Sequence, residues 1–414
     1  MKILLIHQNF PGQYKHLAPA LAERGHEVVA LGINKPAHPS PGVKVILHRP
    51  RTPPSEWFKE APLEMRELHI KQVRGHAVAR LVLKLKQEGF VPDVVCAHSG
   101  WGEALFIKDV LPHAPLIVYA EYYYGSHGGD AYFDPEFSTP TLADLERLRL
   151  KNTHLLHSLA AADAAISPTR FQRDRHPDFL RPKIRVIHDG IDTDRFIANP
   201  NASVTLRKAG LTLTPRDEVI TFVARELEPY RGYHMFMRAL PHLMQLRPQA
   251  QVIIVGGDGV SYGAAPPTGH TWKDLFLSEV ASQIDLKRLH FVGKVPHEVL
   301  TQLMQISSAH VYLTYPFVLS WSLIEAMSIG CLIVGSRTAP VEEVITHGQN
   351  GLLVDFFNPK EIASTVADAL ECRSELISLR SNARTLAIRD YDLKQNCLPE
   401  QIAFIESFSS WNHS

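Results

Sequence analysis

Three residues in the second half of the chain have the types and spacing to hold a diphosphate and a diol: Arg225, Arg231 and Glu325. In FVARELEPYRGYH (222–234) an apolar run ends at Ala224. Arg225 and Arg231 follow in a connection shaped by Pro229 and Gly232. Guanidiniums beyond the carboxyl end of a strand suit a diphosphate, because each can donate paired hydrogen bonds to phosphate oxygens. A pair of solvated loop arginines is the plainer alternative. In PFVLSWSLIEAMSIGC (316–331) the spacing predicts a helix over Ser322–Ile329 with Ser320 as N-cap. The N–H groups of Ser320, Trp321, Ser322 and Leu323 would then lie at the helix start, where an anion is favoured. Glu325, about one turn on, can accept two hydrogen bonds from a ribose diol. A salt-bridged helix carboxylate is the other reading.

The first half offers looser candidates. The loop QNFPGQ (8–13) contains Gly12, which would let backbone approach a ligand; a plain tight turn fits equally well. His98 follows one apolar run, and Glu121 with Tyr122, Tyr123 and Tyr124 follows another. Polar groups at strand ends suit a sugar or an acceptor, and aromatic rings suit the apolar face of a pyranose. Ordinary loop packing explains any single tyrosine as well. Among 22 histidines and four cysteines, no spacing makes a metal site or a disulfide framework. The first loop also lacks G-x-G-x-x-G, which argues against a dehydrogenase.

These residues need a scaffold that gathers strand ends. The 414 residues are 45% hydrophobic and 21% charged, with 43 Lys+Arg against 43 Asp+Glu. Zero formal net charge excludes a strongly basic nucleic-acid binder, and the length suits two domains. Apolar runs at Ile3–Ile6, Val28–Leu31, Val94–Ala97, Leu116–Ala120, Ala164–Ile166 and Ile184–Ile187 alternate with helical stretches such as Tyr14–Glu23 and Glu64–Gln87. The pattern restarts at Val219–Ala224 and runs through Val252–Val255, Leu289–Val292, Val311–Leu313, Leu332–Gly335 and Leu352–Val354, with helices at Met235–Leu246 and Glu298–Gln305. This predicts two doubly wound α/β units, Rossmann-like, over 1–190 and 191–394, with ligand in a cleft at the strand ends. The opening MKILLIHQNF reads as a first strand, and no apolar stretch approaches a membrane span. The expectation is a cytoplasmic protein. A modest basic excess over residues 1–190 allows a weak contact with a membrane surface or an anionic acceptor, and chance explains it too.

Taken together, the motifs resemble the family 4 retaining glycosyltransferases of GT-B fold across nearly the whole chain. The first-domain segments are the loop around Gly12, RGHEV (24–28), DVVCAHSGW (93–101) and VIHDGIDTDRF (186–196). The second-domain segments are ARELEPYRG (224–232), GGDG (256–259), FVGKVPHEVL (291–300), IEAMSIGCLIVGS (324–336) and GQNGLLVD (348–355). The resemblance implies phosphate-gripping roles for Arg225 and Arg231, a base-contacting backbone near Lys294 and Val295, and donor contacts from Gly12, Phe317, Ser320, Trp321, Ser322, Leu323 and Glu325. It also implies acceptor or sugar contacts from His98, Tyr122 and Tyr123, and a first domain completed by a helix at about 395–414. Three departures stand out. Phe317 occupies the place of a glutamate that meets the donor hexose. Gln13 replaces the second glycine of the first loop. Glu121 stands near the place of a strand-end histidine, which would make it the catalytic polar group near the reacting anomeric carbon.

The implied activity is metal-independent transfer, with retention, from a UDP- or GDP-sugar to a hydroxyl of a glycan or lipid-linked acceptor. No nucleic acid and no cofactor beyond the nucleotide sugar are expected. A nucleotide-sugar epimerase and a non-catalytic sugar-nucleotide-binding subunit are the alternatives.

Overall fold

The computed structural model describes residues 1–51 and 55–409, which divide into two compact units: 1–190 with 394–409, and Ile191–Leu393. In the first unit seven parallel strands, β1 (Lys2–Ile6), β2 (Glu27–Gly32), β3 (Val43–Leu47), β4 (Val94–His98), β5 (Leu116–Tyr119), β6 (Ala164–Ser167) and β7 (Ile184–Val186), lie in the order 3-2-1-4-5-6-7. Strand alternation sorts the core into two layers. Leu4 and Ile6 of β1 and Val95 and Ala97 of β4 pack with Val78 and Val82 of the helix Leu63–Gln87. Ile3, Leu5, Val94 and Cys96 face Leu17 and Leu21 on the other side. The period of two in the side chains makes one strand serve both layers, and buried parallel strands read as continuous apolar runs for that reason.

The chain returns to this second layer at its end. After a π-helical turn at Leu393–Cys397, the helix Leu398–Glu406 sets Ile402 and Ile405 into the layer. Glu406 of that helix pairs with Arg24 at 2.8 Å and His26 at 2.9 Å. The last residues of the expected C-terminal helix, 410–414, lie outside the described residues.

The second unit carries six parallel strands: β10 (Val219–Glu226), β11 (Gln251–Gly257), β12 (Leu289–Gly293), β13 (Ala309–Tyr312), β14 (Ile333–Ser336) and β15 (Leu352–Val354), in the order 12-11-10-13-14-15. A small antiparallel hairpin of β8 (Val204–Leu206) and β9 (Leu211–Leu213) precedes them. Neither this hairpin nor the edge strand β3 is marked in the sequence by a long apolar run. Both are short and half exposed, so little hydrophobic patterning is needed to hold them. The N–H of Ile191 donates to Tyr391 O and that of Leu393 to Ile191 O, so the segments entering and leaving the unit are paired.

Two helices start differently from the sequence expectation. The stretch Tyr14–Glu23 is broken into a 3₁₀ turn, Gly12–Tyr14, and a helix, Leu17–Glu23. The helix Tyr233–Leu246 begins directly after Gly232, whose φ of +69° and position against Leu313 leave no room for a side chain: an added Cβ would sit 2.3 Å from Leu313 Cβ. Gly89, at φ +91° beyond the helix Leu63–Gln87, meets nothing within 4 Å. Gly232→Ala should therefore lower stability by more than Gly89→Ala, about 2–4 against about 1 kcal/mol, because the first adds a clash to the same backbone strain. Urea unfolding of both variants checks this; equal midpoints would refute the close-packing account of Gly232.

Candidate functional site

In the second unit β10 runs two residues further than its apolar part suggests, to Glu226, and pairing with β11 slips by one residue between Val223 and Glu226. Such a bulge bends the strand and re-aims a side chain. Arg225 sits in it, exposed, with no hydrogen bond or ion pair to any described residue. Its neighbour Glu226 is occupied differently: it accepts from Gly259 N at 2.9 Å and from Lys294 Nζ. Burial raises the Glu226 carboxyl, but the Lys294 hydrogen bond, the Gly259 N–H and the Arg225 charge outweigh it and hold the group below the usual range.

Arg231 ends the 3₁₀ turn Pro229–Arg231 and is 7% exposed. Its Nη1 donates to Thr314 Oγ1 at 2.9 Å and Val318 O at 3.2 Å, and its guanidinium lies 5.2 Å from the Tyr262 ring centroid. Tyr262 is fixed from below. The fully buried Glu228 carboxylate accepts from the N–H groups of Ser261, Tyr262 and Gly263 at 3.2, 3.2 and 3.1 Å. Three successive amides around one carboxylate form an anion nest filled from inside the protein. Glu228 was not among the sequence candidates. Its one signal is an acid directly before Pro229, at the start of the turn that carries Arg231.

Phe317 is buried within the same group of rings, 5.0 Å from Tyr262 and 5.3 Å edge-on from Tyr230 by centroids. A phenylalanine suits this setting, because a carboxylate placed among these rings would lose much of its hydration.

The helix Trp321–Ile329 has Ser320 as N-cap, with Ser320 Oγ accepting from Ser322 N. One expectation needs correction. The N–H groups of Ser320, Ser322 and Leu323 are already engaged, with Tyr312 Oη at 2.9 Å, Ser320 Oγ at 3.3 Å and Ser320 O at 3.2 Å. The amides of this half-buried helix start are satisfied by its own chain, so a phosphate here has to exchange with those partners. The Leu323 side chain is core, and only its backbone is available to a ligand. Trp321 is exposed. Glu325, 6% exposed, accepts from His297 Nε2 at 3.1 Å. His297 follows Lys294 and Val295 by two to three residues, so the segment expected at the base and the carboxylate expected at the ribose are joined through a histidine absent from the sequence candidates.

In the first unit a relay of polar side chains crosses the carboxyl ends of β1, β4 and β5. His7 Nδ1 accepts from Asn9 N at 3.0 Å, and His7 Nε2 pairs with Gln13 Oε1 at 2.6 Å. Gln13 Nε2 in turn donates to Glu121 Oε1 at 3.3 Å. Two departures from the family pattern, Gln13 and Glu121, are thus hydrogen-bonded to each other. Gly12 is required by packing: at φ +47°, an added Cβ would lie 2.2 Å from the His7 ring. His98 is buried. Its Nδ1 accepts from Gly100 N at 3.0 Å, its ring stacks on Trp101 at 4.1 Å, and Nε2 stands 3.7 Å from Glu121. It therefore backs Glu121. Tyr122 is also buried and its hydroxyl donates to Asp130 at 2.9 Å, while Tyr123 lies beside His176 at 5.7 Å. Glu121, Tyr122 and Tyr124 line a cavity of about 520 Å³ within this unit.

Burial depresses the pKa of His7 to about 4, and burial with the nearby His7 and Lys71 charges depresses that of His98 well below the usual value. Both are neutral at pH 7. Burial first, and the Asp189 charge second, raise Glu121 to about 7. Asp189 is held by the Tyr119 hydroxyl at 3.0–3.1 Å from both its oxygens. A raised carboxyl binds its proton more tightly in the folded state, so its share of stability is present at low pH and is lost as pH rises from about 4.5 through about 7. Asp189→Asn should bring the Glu121 titration down, seen by carboxyl ¹³C NMR, and Glu121→Gln should flatten the dependence of Tm on pH across that window. An unmoved titration in Asp189→Asn would refute the coupling.

Comparison with known proteins accounts for both units. Residues 24–196 match the model of the glycosyl transferase family 4 group, and residues 207–386 that of glycosyl transferases group 1. The D-inositol 3-phosphate glycosyltransferase of Streptomyces avermitilis is 27% identical over 218 residues, 51% of this chain and 45% of that protein. The chain thus spans under half the length of that relative. The glycogen synthase of Mycobacterium tuberculosis is 25% identical over 427 residues, 95% of this chain and 91% of that protein. Among solved structures, Anabaena HepE in complex with UDP superposes with a TM-score of 0.66 at 20% identity, covering 98% of this chain and all of that one. Sucrose-phosphate synthase from Thermosynechococcus elongatus superposes with a TM-score of 0.72 at 17% identity, covering 99% and 100%. Two successive parallel α/β units, matched over residues 24–196 and 207–386 by glycosyltransferase family models, make this chain a member of the family 4 glycosyltransferases, of GT-B fold.

Proposed function

We propose that this glycosyltransferase moves a sugar from a UDP-sugar to a hydroxyl of a glycan or lipid-linked acceptor, with retention at the anomeric carbon and without a metal. The observation that carries the reading is the pair of guanidiniums after β10: Arg225 exposed and unpaired in a bulge, Arg231 buried and aimed by Thr314 and Val318. A cation that is already oriented stabilises developing charge without reorganising at the moment of reaction. The choice of uridine is supported by the Anabaena HepE complexes with UDP and UDP-glucose.

In this scheme the bond between the anomeric carbon and the β-phosphate oxygen breaks, and negative charge grows on the departing diphosphate beside Arg225 and Arg231. The acceptor oxygen bonds to the same face of that carbon, and its proton passes to the departing phosphate. Residues 191–394 hold the donor, with Glu325 at the ribose, Lys294 and Val295 at the base, and the amides of the helix start at the phosphate. Residues 1–190, completed by the C-terminal segment, hold the acceptor. In this scheme Glu121, hydrogen-bonded by Gln13, is the polar group near the reacting carbon, where a carboxylate opposes the positive charge developing on the sugar ring. The enzyme works in the cytoplasm, with the basic excess of the first unit available for contact with the inner membrane face.

Arg225→Ala and Arg231→Lys should each lower kcat/KM by about 10²-fold with the best donor of a UDP-sugar panel, the range seen when one preorganised donor is removed. Unchanged turnover in both would end the phosphate assignment. The anomeric proton coupling of the product, read by NMR, tests retention. A strict requirement for added Mg²⁺ after chelation would refute the metal-free scheme.

A further inference from the structure

The segment that carries Arg225 and Arg231 also grips a neighbouring loop, and it does so with carboxylates. β11 ends at Gly257, and the loop after it runs to the helix Trp272–Val280. Where the two segments meet, Leu227 N donates to Gly257 O at 2.8 Å. They approach closely because Gly256 has no side chain: a Cβ there would lie 2.7 Å from Leu227 Cδ2 and 3.0 Å from Ala224 O. Beyond this point Glu226 takes the amide of Gly259, and Glu228 takes those of Ser261, Tyr262 and Gly263.

A fully buried carboxylate is unfavourable unless it is well hydrogen-bonded. Glu228 is compensated by backbone alone. It forms no ion pair among the described residues, although Arg231 follows it by three positions. Its charge is thus committed to the loop. Three donors converging on one charged acceptor fix both the position and the turn of residues 261–263. The Tyr262 ring then stands 5.0 Å from that of Phe317 and 5.2 Å from the Arg231 guanidinium, with 41% of the residue still exposed. Arg231 itself donates only through Nη1, so Nε and Nη2 have no partner among the described residues. A ring on the face of a guanidinium leaves the in-plane N–H groups for an anion.

We propose that Glu228 is a positioning residue for the transfer: through the amides of residues 261–263 it sets the Tyr262 ring on the Arg231 guanidinium, and the ring turns Nε and Nη2 to the diphosphate of the donor. Glu228 touches no substrate. It acts through Tyr262, and Tyr262 acts through Arg231. A cation held in this way meets the growing charge of the leaving group without first reorienting. The proposal rests on the phosphate role given to Arg231 above and adds the two residues that hold its orientation.

Titration calorimetry of the full chain with UDP, and with uridine as a competitor, tests it, because uridine lacks the phosphates. Glu228→Gln puts a donor among the three amides. It should weaken UDP at least fivefold and leave uridine within twofold. Tyr262→Leu should do the same, and Tyr262→Phe, which keeps the ring, should restore UDP affinity. On an Arg231→Met background Tyr262→Leu should weaken UDP by less than twofold further, since no guanidinium remains to be aimed. If Glu228→Gln does not fold, the Tyr262 variants and the Arg231→Met background carry the comparison. A merely structural role for the loop would weaken UDP and uridine together. That result overturns the proposal, as does unchanged UDP affinity in Glu228→Gln and Tyr262→Leu, or an equal loss with and without Arg231. A wild type that binds neither ligand overturns the nucleotide-sugar reading and the proposal with it. A wild type that binds UDP, with variants that match it, overturns the proposal alone.

Discussion

A parallel sheet covered on both faces has nowhere along its length to put a charge. In β1 the alternation of Ile3 and Leu5 with Leu4 and Ile6 commits every side chain to one core layer or the other, and β4 repeats the arrangement with Val94, Cys96, Val95 and Ala97. Charged groups are therefore concentrated toward the strand ends and the turns that follow, and the polar side chains that lie within central strands, Thr221 and His310, pair with each other at 2.9 Å. His7, His98 and Glu121 all stand at such ends in the first unit, as Arg225 and Glu226 do in the second. Burying a polar group is costly unless it is partnered, so these side chains come in hydrogen-bonded sets: His7 with Gln13 and Glu121, Glu226 with Lys294 and Gly259.

The same pressure decides which charges remain for a ligand. In the second unit carboxylates at the strand ends are consumed internally, Glu226 by Lys294 and Glu228 by three backbone amides. Arg231 is held by neutral oxygens and Tyr262. Arg225, lifted out by the bulge, makes no hydrogen bond or ion pair to a described residue, although its charge acts on the neighbouring Glu226.

The departures from the family pattern are mutually consistent. Gln13 and Glu121 are hydrogen-bonded partners, so a change at either is coupled to the other through one contact. Phe317 belongs to a ring cluster with Tyr230 and Tyr262, and the nest around Glu228 fixes the loop that carries Tyr262. A glutamate at 317 would need that cluster to be rebuilt.

The apolar runs determined the twelve strands that begin and fill both sheets, because complete burial requires continuous hydrophobic sequence. Short half-exposed elements such as β3 and the β8–β9 hairpin carry no such requirement and left no comparable trace. The motif residues Arg225, Arg231 and Glu325 were legible because strand–turn–helix connections have local signatures of proline, glycine and capping serine. Only the tertiary structure decided what each side chain touches: that His98 lies behind Glu121, that the amides at Ser320, Ser322 and Leu323 are already bonded, that His297 meets Glu325, and that Glu228 accepts from the three amides around Tyr262. Contacts between residues far apart in the chain depend on how elements pack, and packing is a property of the whole core rather than of any local spacing.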